Sequence, residues 1–118
     1  MGTFSCPLRL TNMDSDLSAT VDATVDTGAF YTQAPAETLR RIGVRPFDSF
    51  IFRLADGRNV RRDVGRAWAS VNGAKEVTLV VFGDDEAPAL LGAYTLEGLN
   101  LAVDPVHQRL LPIETRTL

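Results

Sequence analysis

The chain has 118 residues, with twelve Lys and Arg against fifteen Asp and Glu, a formal charge of −3, 45% apolar and 23% charged residues. This balance suits one folded domain spanning residues 1–118 and lacks the basic excess that a nucleic-acid backbone demands. One Cys and one His are too few for a disulfide, a zinc cluster or a Cys–His nucleophile pair, so no metal and no cofactor is expected. No apolar run approaches the ~20 residues of a membrane helix. The start, Met1 to Cys6, lacks a basic segment followed by an apolar one. No signal peptide is read there, no membrane contact is expected, and the expected location is the cytoplasm.

The dominant period along the chain is two. Leu17, Ala19, Val21, Ala23 and Val25 alternate with Ser18, Thr20, Asp22 and Thr24, the pattern of a strand with one buried face. Pro35 to Gly43 predicts a short helix. It has Pro at its start, Glu37 in its first turn, Arg40 and Arg41 in its last, and Gly43 beyond, as helix ends and the helix dipole favour. Leu39 and Ile42 would face the core. Phe50 to Leu54 and Asn59 to Val64 predict a hairpin around Ala55-Asp56-Gly57-Arg58, where Asp and Gly suit a tight turn. Ala67 to Val71 predicts a further strand, joined by Asn72-Gly73 to a strand over Lys75 to Phe82. A second short helix is predicted over Ala93 to Glu97, stopped by Gly98. A last pair of strands is predicted over Leu99 to Val103 and Arg109 to Leu111. Short, closely spaced strands with two short helices predict a mainly β fold, a small barrel or closed sheet.

Chemistry concentrates in Val25-Asp26-Thr27-Gly28-Ala29. A carboxylate stands at the end of an apolar strand, followed by a small hydroxyl and a glycine that lets backbone amides approach it. Alone, Asp-Thr-Gly is compatible with any tight turn after a strand. Further along comes Ala89-Leu90-Leu91-Gly92, entering the second helix, with the hairpin of residues 50–64 in between.

In this combination the chain resembles the retropepsin-like aspartic proteases, the single-lobe branch that includes retroviral proteases and their bacterial and eukaryotic relatives. The resemblance runs from about Leu17 to Pro112 and includes the closing run Leu96 to Asp104, similar to bacterial members. It implies a single-lobe acid-protease barrel with a flap hairpin. Asp26 would be the catalytic carboxylate. Thr27 would bond between two copies of the loop, and Gly28 would keep the loop tight. Ala29, Leu91 and Gly92 would border the substrate, with Leu90, Leu91 and Gly92 packed beneath the loop. Ala55, Asp56, Gly57 and Arg58 would form the flap tip over a bound peptide.

Aspartic-protease chemistry uses one carboxylate as base on a water and a second, protonated carboxyl to polarise the scissile carbonyl. The chain has one Asp-Thr-Gly and no Asp-Ser-Gly, so the second carboxyl would come from another copy across a two-fold axis. The expected function is a homodimeric aspartic endopeptidase acting on a peptide or protein. The alternatives are a non-catalytic dimerisation or peptide-binding module on the same fold, and a barrel holding a small apolar ligand. Ala93 stands where the family usually has an Arg or similar polar residue, and Phe30 and Tyr31 stand where retroviral members place acids. The ion pairs that brace retroviral dimers are therefore not expected here.

Other features have plainer readings. Phe30 and Tyr31 are core residues first and pocket residues second. Asp84-Asp85-Glu86 is a solvated turn, Trp68 packs on a sheet face, His107 lies in a surface turn, and Cys6 is a small inert apolar residue. Phe4 to Leu10 and Leu110 to Leu118 are apolar enough to form strands, which in dimeric relatives interleave at the interface.

Overall fold

The computed structural model describes residues 3–116 and 118. Nine strands and two helices follow in the order β1 (Phe4–Thr11), β2 (Ser18–Val25), β3 (Thr32–Pro35), α1 (Ala36–Arg41), β4 (Asp48–Arg53), β5 (Asn59–Val71), β6 (Ala74–Gly83), β7 (Ala89–Leu91), α2 (Ala93–Gly98), β8 (Leu101–Asp104) and β9 (Arg109–Pro112). Six strands close a barrel in the order β1-β2-β7-β3-β6-β5, with β5 returning to β1. Strand β4 continues from β5 as the free arm of a hairpin, and β8–β9 form a separate two-stranded ribbon. A closed sheet leaves few free edges, which suits a small chain.

The alternation read over Leu17 to Val25 becomes β2, with Ala23 and Val25 buried and Thr20 and Asp22 exposed. Helix α1 starts after Pro35, carries Glu37 early and Arg40 and Arg41 late, and buries Leu39; Ile42, at its end, is buried too. The β5–β6 hairpin turns at Asn72 (φ 50°) and Gly73 (φ 85°). Positive φ at both central residues is the reason Asn-Gly is preferred in such turns.

Several expectations change. The two strands expected over Asn59–Val64 and Ala67–Val71 are one 13-residue strand, β5. Gly65 and Arg66 do not interrupt it, because β6 stays paired alongside from Val64 to Val71. Two short strands, β3 and β7, were not legible. Each is too brief to show a period, and each is defined by neighbours: β3 lies parallel to β6, and β7 lies parallel to β2. Phe4 to Leu10 forms a barrel strand, held antiparallel by β2 and by β5. At the other end β9 stops at Pro112, and residues 113–116 form no strand. There Asn100 clasps Ile113 from both sides, accepting its backbone N–H at the Asn100 carbonyl (2.8 Å) and donating its side-chain amide to the Ile113 carbonyl.

The interior is filled by side chains, among them Leu8, Leu10, Leu39, Leu91 and Val80, all fully buried. Leu10 sits where the barrel closes, opposite Ala19 on β2 and Ala69 on β5. No helix among the described residues is long and apolar enough to cross a membrane. Leu10→Ala should leave a cavity at this closure and lower unfolding free energy by about 2–5 kcal/mol, as large-to-small core changes do. Urea unfolding of the two proteins side by side measures it, and a loss well under 1 kcal/mol would show that β1 is not part of the core.

Candidate active site

Strand β2 delivers Asp26 to the site. Val25 pairs in parallel with Leu91 on β7, and one residue on, the Asp26 N–H donates to the Leu91 carbonyl oxygen at 3.1 Å. The chain then turns. The Ala29 N–H donates to the Asp26 carbonyl oxygen (3.1 Å), and the Gly28 N–H donates to Asp26 Oδ1 (2.9 Å). The carboxylate is thereby aimed by its own loop. Asp26 is half-buried, while Thr27 and Gly28 are exposed.

Helix α2 supports the loop from below. Its first amides, Ala93 and Tyr94, donate to the carbonyl oxygens of Ala29 and Phe30, each at 2.9 Å. Gly92 makes this approach possible. A Cβ there would lie 2.6 Å from the carbonyl oxygens of both Phe30 and Tyr31, closer than any side chain tolerates. The Gly92 N–H donates to Thr32 Oγ1 (3.1 Å). Thr32 Oγ1 lies 2.5 Å from Thr95 Oγ1, which lies 2.7 Å from Thr78 Oγ1. All three threonines are buried. One donor direction satisfies them: Thr32 to Thr95, Thr95 to Thr78, and Thr78 to the Leu79 carbonyl oxygen at 3.3 Å. This chain of hydroxyls ties β3, β6 and α2 together under the aspartate loop. Sequence reasoning missed it, because isolated threonines in or near strands signal only β propensity.

Two grooves flank the loop. One, of about 700 Å³, is lined by Asp26, Thr27 and Gly28 together with Phe4, Leu96 and Val103. The other, of about 480 Å³, lies between the loop and the β4–β5 hairpin, with Gly28, Ala29, Tyr31, Phe52 and Leu90 in its walls.

The expected site residues fall into three groups. Asp26, Thr27, Gly28 and Ala29 form the loop itself. Gly92 and Leu91 are buried beneath it; Leu91 acts through its carbonyl, and its neighbour Leu90 is the side chain at the second groove. Ala55, Asp56, Gly57 and Arg58 are exposed at the hairpin tip. There Asp56 accepts from the Arg58 N–H (3.0 Å) and Nε (2.7 Å). These bonds, the backbone one first, hold the Asp56 carboxyl below its usual range. The hairpin residues lining the second groove are instead Phe52, Arg53, Leu54, Val60 and Arg62.

The surroundings revise other readings. Phe30 is not core: it is 52% exposed, its ring edge-on to Tyr31 (4.9 Å) and to Tyr94 (5.6 Å), and both Phe30 and Tyr31 line the second groove. The acidic turn is not simply solvated. Asp85 Oδ1 accepts the Glu37 N–H at the first turn of α1 (2.8 Å), and Asp84 pairs with Arg62 (3.2 Å). Trp68 is half-buried under the Lys75 ammonium. His107 is an exposed turn residue whose Nδ1 lies 2.8 Å from Asp104 Oδ2. Burial, and secondarily the Asp22 carboxylate, pushes the Cys6 thiol up, away from the reactive thiolate. No cluster of metal-ligating side chains occurs among the described residues.

No protein-family model matches the chain, and no curated protein sequence matches it. Solved structures do. The retroviral protease-like domain of Ddi1 from Leishmania major superposes with a TM-score of 0.61 at 18% identity, over 98% of this chain and 91% of that one. The protease of simian foamy virus (mac) gives 0.57 at 19% identity, over 79% and 91%. Lpg0085 of Legionella pneumophila, a protein of unknown function, gives 0.55 at 19% identity, over 96% and 97%. With its closed six-stranded barrel, two short helices and these structural neighbours, the chain has the retropepsin-like fold.

Proposed function

We propose that the protein is an aspartic endopeptidase assembled from two copies of this chain. The observation that carries the reading is the Asp26 loop. It supplies one aimed carboxylate, and the neighbouring groove leaves Asp26 and Thr27 open beside Phe4, Leu96 and Val103. A second copy seated there by two-fold symmetry would cover apolar surface and bring its own Asp26 alongside. Two adjacent carboxyls cannot both ionise, so they share a proton. The ionised one takes a proton from water as its oxygen bonds to the scissile carbonyl carbon. The protonated one donates to the carbonyl oxygen. Return of a proton to the amide nitrogen then breaks the C–N bond, leaving a carboxylic acid and an amine.

Substrate would lie between the aspartate loop and the β4–β5 hairpin, where the second groove runs. The two-fold contact would be largely apolar, since Phe4, Leu96 and Val103 line the groove beside Asp26 and Phe30 and Ala93 stand where ion pairs brace retroviral dimers.

Three outcomes are expected. Asp26→Asn should lower peptide cleavage roughly 10³-fold or more, the loss expected when acid–base machinery is removed, with an unchanged melting temperature; wild-type cleavage rates in this variant would end the protease reading. Activity should be highest on the acid side and fall as pH rises and the shared proton is lost; a rate climbing steadily above pH 8 would contradict the dyad. Sedimentation should show a dimer that is weakened by Thr27→Val. Raising salt from low to physiological should change its affinity little, because screening acts on charges and not on apolar contact. A species that stays monomeric at every concentration would remove the second carboxyl.

A further inference from the structure

The inner face of the β4–β5 hairpin holds an anomaly. Alternation places Phe50, Phe52, Val60, Arg62 and Val64 toward the barrel, and Ile51, Arg53, Arg61 and Asp63 toward solvent. Arg62 is the charged member of the inward set. Its side chain is only 28% exposed, and it stands in the wall of the groove that also holds Ala29 of the aspartate loop. A long cationic side chain on an apolar face needs partners.

The partners it has are loose. Nη2 reaches Asp84 Oδ1 at 3.2 Å and Oδ2 at 3.3 Å, and Nη1 reaches the Arg61 carbonyl at 3.3 Å. Short charge-assisted bonds are about 2.7–2.9 Å. A guanidinium has five N–H donors and a carboxylate about four acceptor sites, so both groups keep hydrogen-bonding capacity. Asp84 is 71% exposed and borders the same groove. The remaining walls are mostly apolar or aromatic: Tyr31 and Phe52 meet edge-on at 5.4 Å, with Val60 and Leu90 beside them, and Gln33 and the exposed Arg53 also line the groove.

The geometry points to Arg62 and Asp84 as specificity-determining residues of a substrate subsite that selects a long uncharged side chain with a hydrogen-bonding tip, tyrosine first. The inference rests on the protease reading. An aromatic ring would lie against the touching Phe52–Tyr31 pair and Leu90, with edge-to-face contacts to the rings. Its phenol can accept from the Arg62 guanidinium and donate to the Asp84 carboxylate. A matched donor and acceptor suit a neutral group that is both. A carboxylate would meet Asp84, an ammonium would meet Arg62, and either would be desolvated on entry. Phenylalanine would fill the same space but leave the ion pair dehydrated and without the hydroxyl. Sites that hydrogen-bond a substrate hydroxyl discriminate strongly against analogues lacking it.

The test is a peptide library cleaved by the wild-type protein at its optimal pH, with cut sites read by mass spectrometry. It is followed by one cleaved peptide carrying Tyr, Phe, Gln, Glu or Lys at the selected position. Expected is kcat/KM for Tyr about tenfold above Phe, with Gln above both Glu and Lys. Arg62→Met should bring the Tyr/Phe ratio close to one, and Arg62→Lys, which keeps a donor, should retain part of it. Melting temperatures establish that each variant is folded. If cleavage occurs with Phe equal to or above Tyr, or with Glu or Lys preferred, the subsite inference fails and the protease reading stands. If Arg62→Met and Asp84→Asn slow all peptides equally and leave the ratio unchanged, the pair only fastens the hairpin and the inference fails. If wild type cuts no peptide at any pH, both readings fall together.

Discussion

The site depends on one close approach of backbone to backbone. The Asp26 amide bonds to the Leu91 carbonyl, and the next turn of chain, at Gly92, lies against the carbonyls of Phe30 and Tyr31. Two segments far apart in sequence are clamped together, so the carboxylate cannot drift relative to the helix that supports it. The clamp works because β7 runs parallel to β2, which places both strand ends, and the loops leaving them, on the same side of the barrel. Parallel neighbours in a largely antiparallel barrel are unusual enough that their position at the candidate catalytic loop has a plain physical sense.

The buried hydroxyl chain gives this clamp its rigidity. Three threonines without charge satisfy one another and one backbone amide. Buried polar networks of this sort are stiff when complete and expensive when broken. The loop above is tied to this support, and the Gly28 amide holds one oxygen of the Asp26 carboxylate. Preorganised placement is the main service a scaffold offers to acid–base chemistry.

Much of this was legible from residues alone. Alternation over residues 17–25 identified β2, end signals identified α1, and Asn72-Gly73 identified the β5–β6 turn, because in each case local physics and the final fold agree. What escaped was whatever depends on distant neighbours. Ala89-Leu90-Leu91 is a strand because Val25 and Gln33 lie beside it. Gly65 and Arg66 read as a break and are continuous strand because β6 is paired alongside. Phe30 looked like core by composition and is half-exposed, since the loop it follows faces a groove. The acidic turn looked solvated because neither Arg62 nor the amide of Glu37 is near it in sequence. The aspartate motif itself was readable as a motif, and its supporting threonines were not, since nothing in their spacing marks them as a group.

Strand β5 belongs to two structures at once. Its first half is an arm of the hairpin over the groove, and its second half is sealed between β6 and β1, where Trp68, Ala69 and Ser70 meet Thr11, Leu10 and Arg9. The hairpin is thus a cantilever: one end is anchored where β5 is paired on both sides and the other ends in the exposed Asp56–Arg58 tip. Bending must concentrate where the support of β6 gives out, just before Val64, and displacement must grow with distance from that fulcrum. On the proposed function, the tip would be the part free to act as a gate while Arg62, a residue or two from the pivot, would serve as a fixed measuring point on the same run of backbone.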